Sequence, residues 1–153
     1  MREGIKIAAE NRKARHDYFI EEQYEAGIEL FGTEVKSVRL GAMNLKDSFC
    51  TVREGELFVV GMRISPYEKG NIFNRPPERE RRLLMHRREI LRLFNKVRQE
   101  GYTLIPLKVY FKNARVKLEI GLCKGKKLYD KRETAAARDA QREIDRAVRE
   151  KNA

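Results

Sequence analysis

Hydrophobic and polar positions alternate first at Tyr18-Phe19-Ile20-Glu21-Glu22-Gln23-Tyr24, where Tyr18, Ile20, Glu22 and Tyr24 share one face of a predicted strand. A second short strand is expected at Ile28-Glu29-Leu30-Phe31, after Gly27. The period then lengthens. Thr33 is a competent N-cap, and Val35, Val38 and Leu40 before Gly41 fit a helix of about two turns with a glycine stop. Strand patterning returns at Ser48 to Arg53 and, after Glu54-Gly55-Glu56, at Leu57 to Val60, which predicts a hairpin, with a further short strand at Met62-Arg63-Ile64. The stretch from Pro66 to Glu80 holds Gly70, Pro76, Pro77 and many charges, so it reads as an exposed, mobile loop. It ends at Leu83-Leu84-Met85, and His86 then opens as N-cap, with Glu89 three residues on, a helix carrying Ile90, Leu91, Phe94 and Val97 and closed by Gly101. A last hairpin runs from Thr103 to Phe111 and back from Val116 to Cys123, with Val116, Leu118, Ile120 and Leu122 in strict alternation.

The fold class that follows is mainly β with flanking helices: an OB-like antiparallel barrel of six or seven strands, closed so that few edges remain free. We expect residues 1–123 to form this domain with an N-terminal arm. Residues 124–153 read as a basic tail, because Ala136, Ala140, Ile144 and Val148 give a helical ridge too thin to order itself on a barrel. The tail is expected to be disordered when free and helical on a partner.

Charge narrows the function. The 153 residues carry 34 Lys and Arg against 23 Asp and Glu, a net +11, which calls for a polyanionic partner. The longest apolar run, Leu57 to Met62, is far shorter than the roughly 20 residues a bilayer requires, and the first residues do not resemble a signal peptide, so a cytoplasmic protein without a membrane partner is expected. Cys50 and Cys123 are far apart and lie in apolar strands, as reduced packing residues do. His16 and His86 have no second ligand at metal spacing, so neither a metal nor a cofactor is expected. The best enzyme alternative is a metal-dependent nuclease using Glu34-Val35-Lys36 with Asp17 or Glu29, although an acid in the first turn of a helix is favoured by the dipole alone.

Four stretches carry a family resemblance: Glu10-Asn11-Arg12-Lys13-Ala14-Arg15-His16-Asp17-Tyr18, Tyr24-Glu25-Ala26-Gly27-Ile28, Gly32-Thr33-Glu34-Val35-Lys36-Ser37 and Gly125-Lys126-Lys127-Leu128-Tyr129-Asp130-Lys131-Arg132. Together, in this order and across nearly the whole chain, they resemble the SmpB family, small basic proteins that bind transfer-messenger RNA and carry it to stalled bacterial ribosomes. The resemblance implies an OB-type barrel that binds the tRNA-like domain of that RNA, with Asn11, Arg12, Lys13, Arg15, His16, Glu25, Leu84, Lys124, Lys126 and Lys127 as contact candidates. It implies a second site at Tyr129, Asp130, Lys131 and Arg132 for the decoding centre of the small ribosomal subunit, and Arg138, Arg142 and Arg146 along the empty messenger channel. The implied protein is a monomer that works without catalysis and meets only indirectly the elongation factor carrying the aminoacylated RNA. On the residues alone, the cations before the first strand would equally suit a solvated N-terminus, Glu25 a turn and Leu84 the core.

Overall fold

The computed structural model describes residues 5–68 and 74–126. In chain order the elements are β1 (Ile5–Glu10), α1 (Arg12–Asp17), β2 (Tyr18–Ile28), α2 (Gly32–Arg39), β3 (Met43–Asn44), β4 (Phe49–Arg53), β5 (Glu56–Val60), β6 (Arg63–Ile64), β7 (Arg81–Leu84), α3 (Arg87–Glu100), β8 (Thr103–Lys112) and β9 (Arg115–Gly125).

Six strands close into an antiparallel ring in the order β8-β4-β5-β7-β2-β9, with β9 returning to β8, and β1 adds a seventh strand along β8. This is the OB-like barrel that the alternating segments predict. The long strands β2 and β9 pair from Tyr18↔Gly125 to Gly27↔Lys117, while β4 meets β8 only at Cys50↔Leu104. Alternation decides which side chains fill the ring: Leu57, Val59, Leu83, Leu104, Val109, Leu118, Ile120 and Leu122 are all buried in one core cluster. Helix α3 contributes Ile90 and Leu93 to it, and α2 contributes Val38. A smaller cluster of Ala14, Ile105, Leu107 and Cys123 sits beneath α1. Both cysteines are free and buried. No helix among the described residues is long and apolar enough to cross a membrane.

Several expectations need correction. The N-terminal arm, from Ile5 on, is strand β1 followed by helix α1. The two strands expected at Tyr18 and Ile28 are one strand of 11 residues, bulged between Ile20 and Glu22; Gly27 lies within it. The segment Leu83-Leu84-Met85 is no loop end, since β7 inserts between β5 and β2. Helix α2 begins two residues earlier than a Thr33 cap allows, with Phe31 at the N-cap and its backbone N–H donating to Glu34 Oε1 at 2.9 Å. His86 does occupy the N-cap of α3, but its side chain makes no capping hydrogen bond. Gly101 ends α3 in the left-handed region at φ 72°, where a side chain would be strained. The described flanks of the loop expected to be mobile are tied down: Tyr67 and Asn74 exchange two 2.8 Å hydrogen bonds, and Ile64 N donates to Pro77 O at 2.9 Å.

Candidate nucleic-acid interface

Strand β2 separates the candidate residues into two groups. Tyr18 and Glu25 are seven positions apart on it, roughly 23 Å at ~3.3 Å per residue, and one group gathers at each end.

At the Tyr18 end lie α1 and the close of β9. Arg12, Lys13, Arg15 and His16 are exposed on α1. The ammonium of Lys126 sits 5.1 Å above the Phe19 ring and donates to the Arg15 carbonyl at 3.4 Å, and Lys124 lies 4.7 Å above the Tyr102 ring. Lys13 and His16 have acidic neighbours, Asp47 at 3.8 Å and Asp17 at 3.0 Å. Such exposed pairs contribute little to stability. Asn11 behaves differently. It is 8% exposed, its side-chain carbonyl accepts from Ala14 N at 3.1 Å, and its amide donates to Pro106 O at 3.0 Å and to Leu45 O at 3.5 Å. Its hydrogen bonds cap α1 and pin that helix to β8, so the amide that reads from sequence as a contact is turned inward.

Glu25 and Leu84 lie at the other end, on the same face of the sheet. Gly27 pairs with Leu84 across β2 and β7, and a Cβ on Gly27 would come within 3.3 Å of the Leu84 Cβ; the missing side chain lets Leu84 lie over the strand. Leu84 is 46% exposed, so it is not a core residue. Glu25 lies two positions from Gly27 on the same face. Its Oε2 accepts from the Tyr110 hydroxyl and is 3.6 Å from Lys112 Nζ. The Tyr110 hydrogen bond, with Lys112 beside it, holds the Glu25 carboxyl below its usual range, and burial together with Glu25 pushes the Tyr110 hydroxyl well up. Glu25 is therefore an ionised, oriented acceptor of the kind that a partner's amino or hydroxyl group can meet. Neighbouring Glu119, opposite Glu25 on β9, is paired with Lys108 at 3.1 Å. Tyr110 and Lys112 escape a reading of the sequence because only the β8-β9-β2 register carries them to Glu25.

Glu34 belongs to neither group. It is 4% exposed, receives Arg81 at 2.6 and 2.9 Å, and is hydrogen-bonded by Arg79 through both oxygens. Burial alone would raise its pKa, but the hydrogen bonds from Arg79, the Phe31 backbone and Arg81 outweigh burial and lower it. A carboxylate held by two guanidinium groups is a structural anchor and offers a metal nothing. Among the described residues no cluster of three His, Cys, Asp or Glu could hold a metal ion. Lys127, Tyr129, Asp130, Lys131, Arg132, Arg138, Arg142 and Arg146, with the expected tail helix, lie outside the described residues.

The model of the family described as "SmpB protein" matches residues 8–150. The chain belongs to the SmpB family. An SsrA-binding protein from Acetivibrio thermocellus is 61% identical over 149 residues, covering 97% of both chains. Another SsrA-binding protein, from Carboxydothermus hydrogenoformans, is 64% identical over 144 residues, covering 94% of this chain and 97% of its own. Among solved structures, a chain described under "tmRNA-SmpB: a journey to the center of the bacterial ribosome" superimposes with a TM-score of 0.68 at 52% identity, covering 81% of this chain and 87% of that one. The SmpB match takes in both ends of β2 and most of the tail.

Proposed function

We propose that this SmpB-family chain binds the tRNA-like domain of transfer-messenger RNA and delivers it to stalled ribosomes for trans-translation. Family membership across residues 8–150 carries the reading, and the net charge of +11 supports it. The barrel recognises shape more than sequence, as proteins that bind folded RNA do. Glu25 and Leu84 form one contact face, and Arg12, Lys13, Arg15, His16, Lys124 and Lys126 another at the root of the tail. Lys127 continues that second group. Tyr129 to Arg132 then meet the decoding centre, and Arg138, Arg142 and Arg146 follow the vacant messenger channel.

In this reading the protein positions RNA in the cytoplasm as a monomer, and peptide transfer belongs to the ribosome. The buried pairing of Glu34 with Arg79 and Arg81 speaks against a nuclease built on that residue.

The test is a competition titration at physiological salt between the tRNA-like domain and an ordinary elongator tRNA, since salt suppresses the electrostatic term common to both. Preference for the former is expected. Equal affinity would overturn the reading in favour of a general tRNA or ribosomal RNA chaperone.

A further inference from the structure

We infer that Arg75, stacked on Phe31, is a phosphate-binding position that extends the Glu25–Leu84 face toward α2; this rests on the RNA-binding reading above. The Arg75 guanidinium lies 4.0 Å from the Phe31 ring centroid, and Arg79 lies 4.8 Å from it. The two arginines differ in what else they do. Arg79 is committed to Glu34 and reaches the Glu29 carbonyl at 3.5 Å. Arg75 is exposed, and among the described residues no carboxylate pairs with it.

An exposed arginine is normally a loose cation, but three constraints hold this one. Asn74, immediately before it, is locked to Tyr67 by the reciprocal 2.8 Å hydrogen bonds. Pro76, immediately after it, disfavours a helical backbone at Arg75, and Pro77 O is fixed by Ile64 N at 2.9 Å and Arg81 Nη2 at 3.1 Å. The Phe31 ring, 45% exposed, then supports one face of the guanidinium. Stacking leaves the in-plane N–H donors available, and that planar fork matches the oxygens of a phosphodiester.

Backbone pairing joins this position to the Leu84 face. Gly27 pairs with Leu84, Glu29 N donates to Arg82 O at 3.0 Å, and Phe31 follows two residues later. Lys36, exposed and 5.4 Å from the Tyr67 ring, adds a second cation beside Arg75's anchor. The ordered arginine, a supporting ring and a further cation fit the sugar-phosphate backbone of a folded RNA. The position gives register and no base identity.

The experiment measures affinity for the tRNA-like domain of transfer-messenger RNA at several salt concentrations. Arg75→Ala should bind roughly tenfold more weakly, the loss of a charge-assisted contact, and flatten the log affinity against log salt slope by roughly 0.7 to 0.9. Arg75→Lys should retain the slope and recover only part of the affinity, because a point charge replaces the fork. Phe31→Ala should cost about threefold by releasing the stack. Arg98→Ala is the control: it removes the same charge from another arginine over phenylalanine, 5.5 Å from Phe94, and should stay within roughly twofold of wild type. Wild-type slope and affinity in Arg75→Ala, or an equal loss in Arg98→Ala, overturns the phosphate position while wild type still prefers the tRNA-like domain. Failure of wild type to show that preference instead overturns the parent reading.

Discussion

Glu34 in the first turn of α2 and Arg81 at the start of β7 meet through two hydrogen bonds of 2.6 and 2.9 Å, with 4% and 0% of their side chains exposed. The remaining Arg81 donors reach Met62 O at 2.7 Å and Pro77 O at 3.1 Å, so one ion pair joins a helix, a strand and the segment that leads into it. Removing one partner leaves a buried charge without compensation. Glu34→Ala should therefore lose about 3 to 5 kcal/mol of stability, read by denaturant unfolding. The pH dependence has a fixed sign. The folded pKa of Glu34 is lowered from 4.5, so its contribution is fully present above that ordinary value and disappears as pH falls through the lower, folded one. Glu34→Gln should be less stable than wild type at neutral pH, and the gap should narrow in acid; a constant gap would rule out the ionised pair as its source.

Tyr110 holds Glu25 in place, so Tyr110→Phe should release it without opening the core. The expected cost is about 1 kcal/mol for one hydrogen bond. The Glu25 carboxyl should then titrate at higher pH, measured by carbon-detected NMR, and RNA affinity should fall. An unchanged Glu25 titration would show that Lys112 alone orients it.

Leu84 is half exposed, and nothing in the core depends on it. Leu84→Ala should leave stability within about 0.5 kcal/mol, as surface substitutions do, while weakening RNA binding. Gly27→Ala tests the same contact from below, since the added Cβ must push Leu84 outward by a few tenths of an ångström. Affinity that survives both changes would remove Leu84 from the interface.

Asn11 and its basic neighbours should separate cleanly. Asn11→Ala removes the α1 cap and should cost roughly 1 to 2 kcal/mol, seen as a lower thermal midpoint. Arg12→Ala and Lys13→Ala should keep the midpoint and lower affinity. A folded, stable Asn11→Ala protein that binds poorly would return Asn11 to the contact set.

Legibility in the sequence followed the range of the forces involved. Strands β8 and β9 alternate plainly, and their turn is local, with Asn113 and Ala114 both at positive φ, 49° and 66°. Strand β7 was hidden because Arg81, inward-facing and charged, breaks the apolar alternation that would have announced it. Strand β1 has exposed Ile5 and Ile7, at 53% and 47%, and is ordered by pairing with β8, more than 95 positions away in sequence. At the candidate interface, the resemblance implies Glu25 and Leu84 as contacts, but only strand pairing shows that they share one face of the sheet, Leu84 opposite Gly27 and Glu25 two positions along β2. The capping role of Asn11 is not legible in the sequence, because an amide beside three cations has the same pattern whether it faces RNA or caps a helix. Arg75 gave no signal, since nothing local marks its stack on Phe31.

The pairing of β1 also bears on how copies of the protein treat one another. The barrel ring is closed, and β1 covers the half of β8 from Lys108 to Lys112 that β4 does not reach. Among the described residues, the main sheet then offers a neighbouring chain the outer side of β1, where the ladder is broken between Ile7 and Ala9 and flanked by Lys6 and Glu10. An irregular edge with charges along it is a poor template for intermolecular sheet growth. Trimming the first ten residues would bare the regular edge of β8, with Val109 and Phe111 in its ladder, the kind of flat apolar edge that invites pairing with another chain.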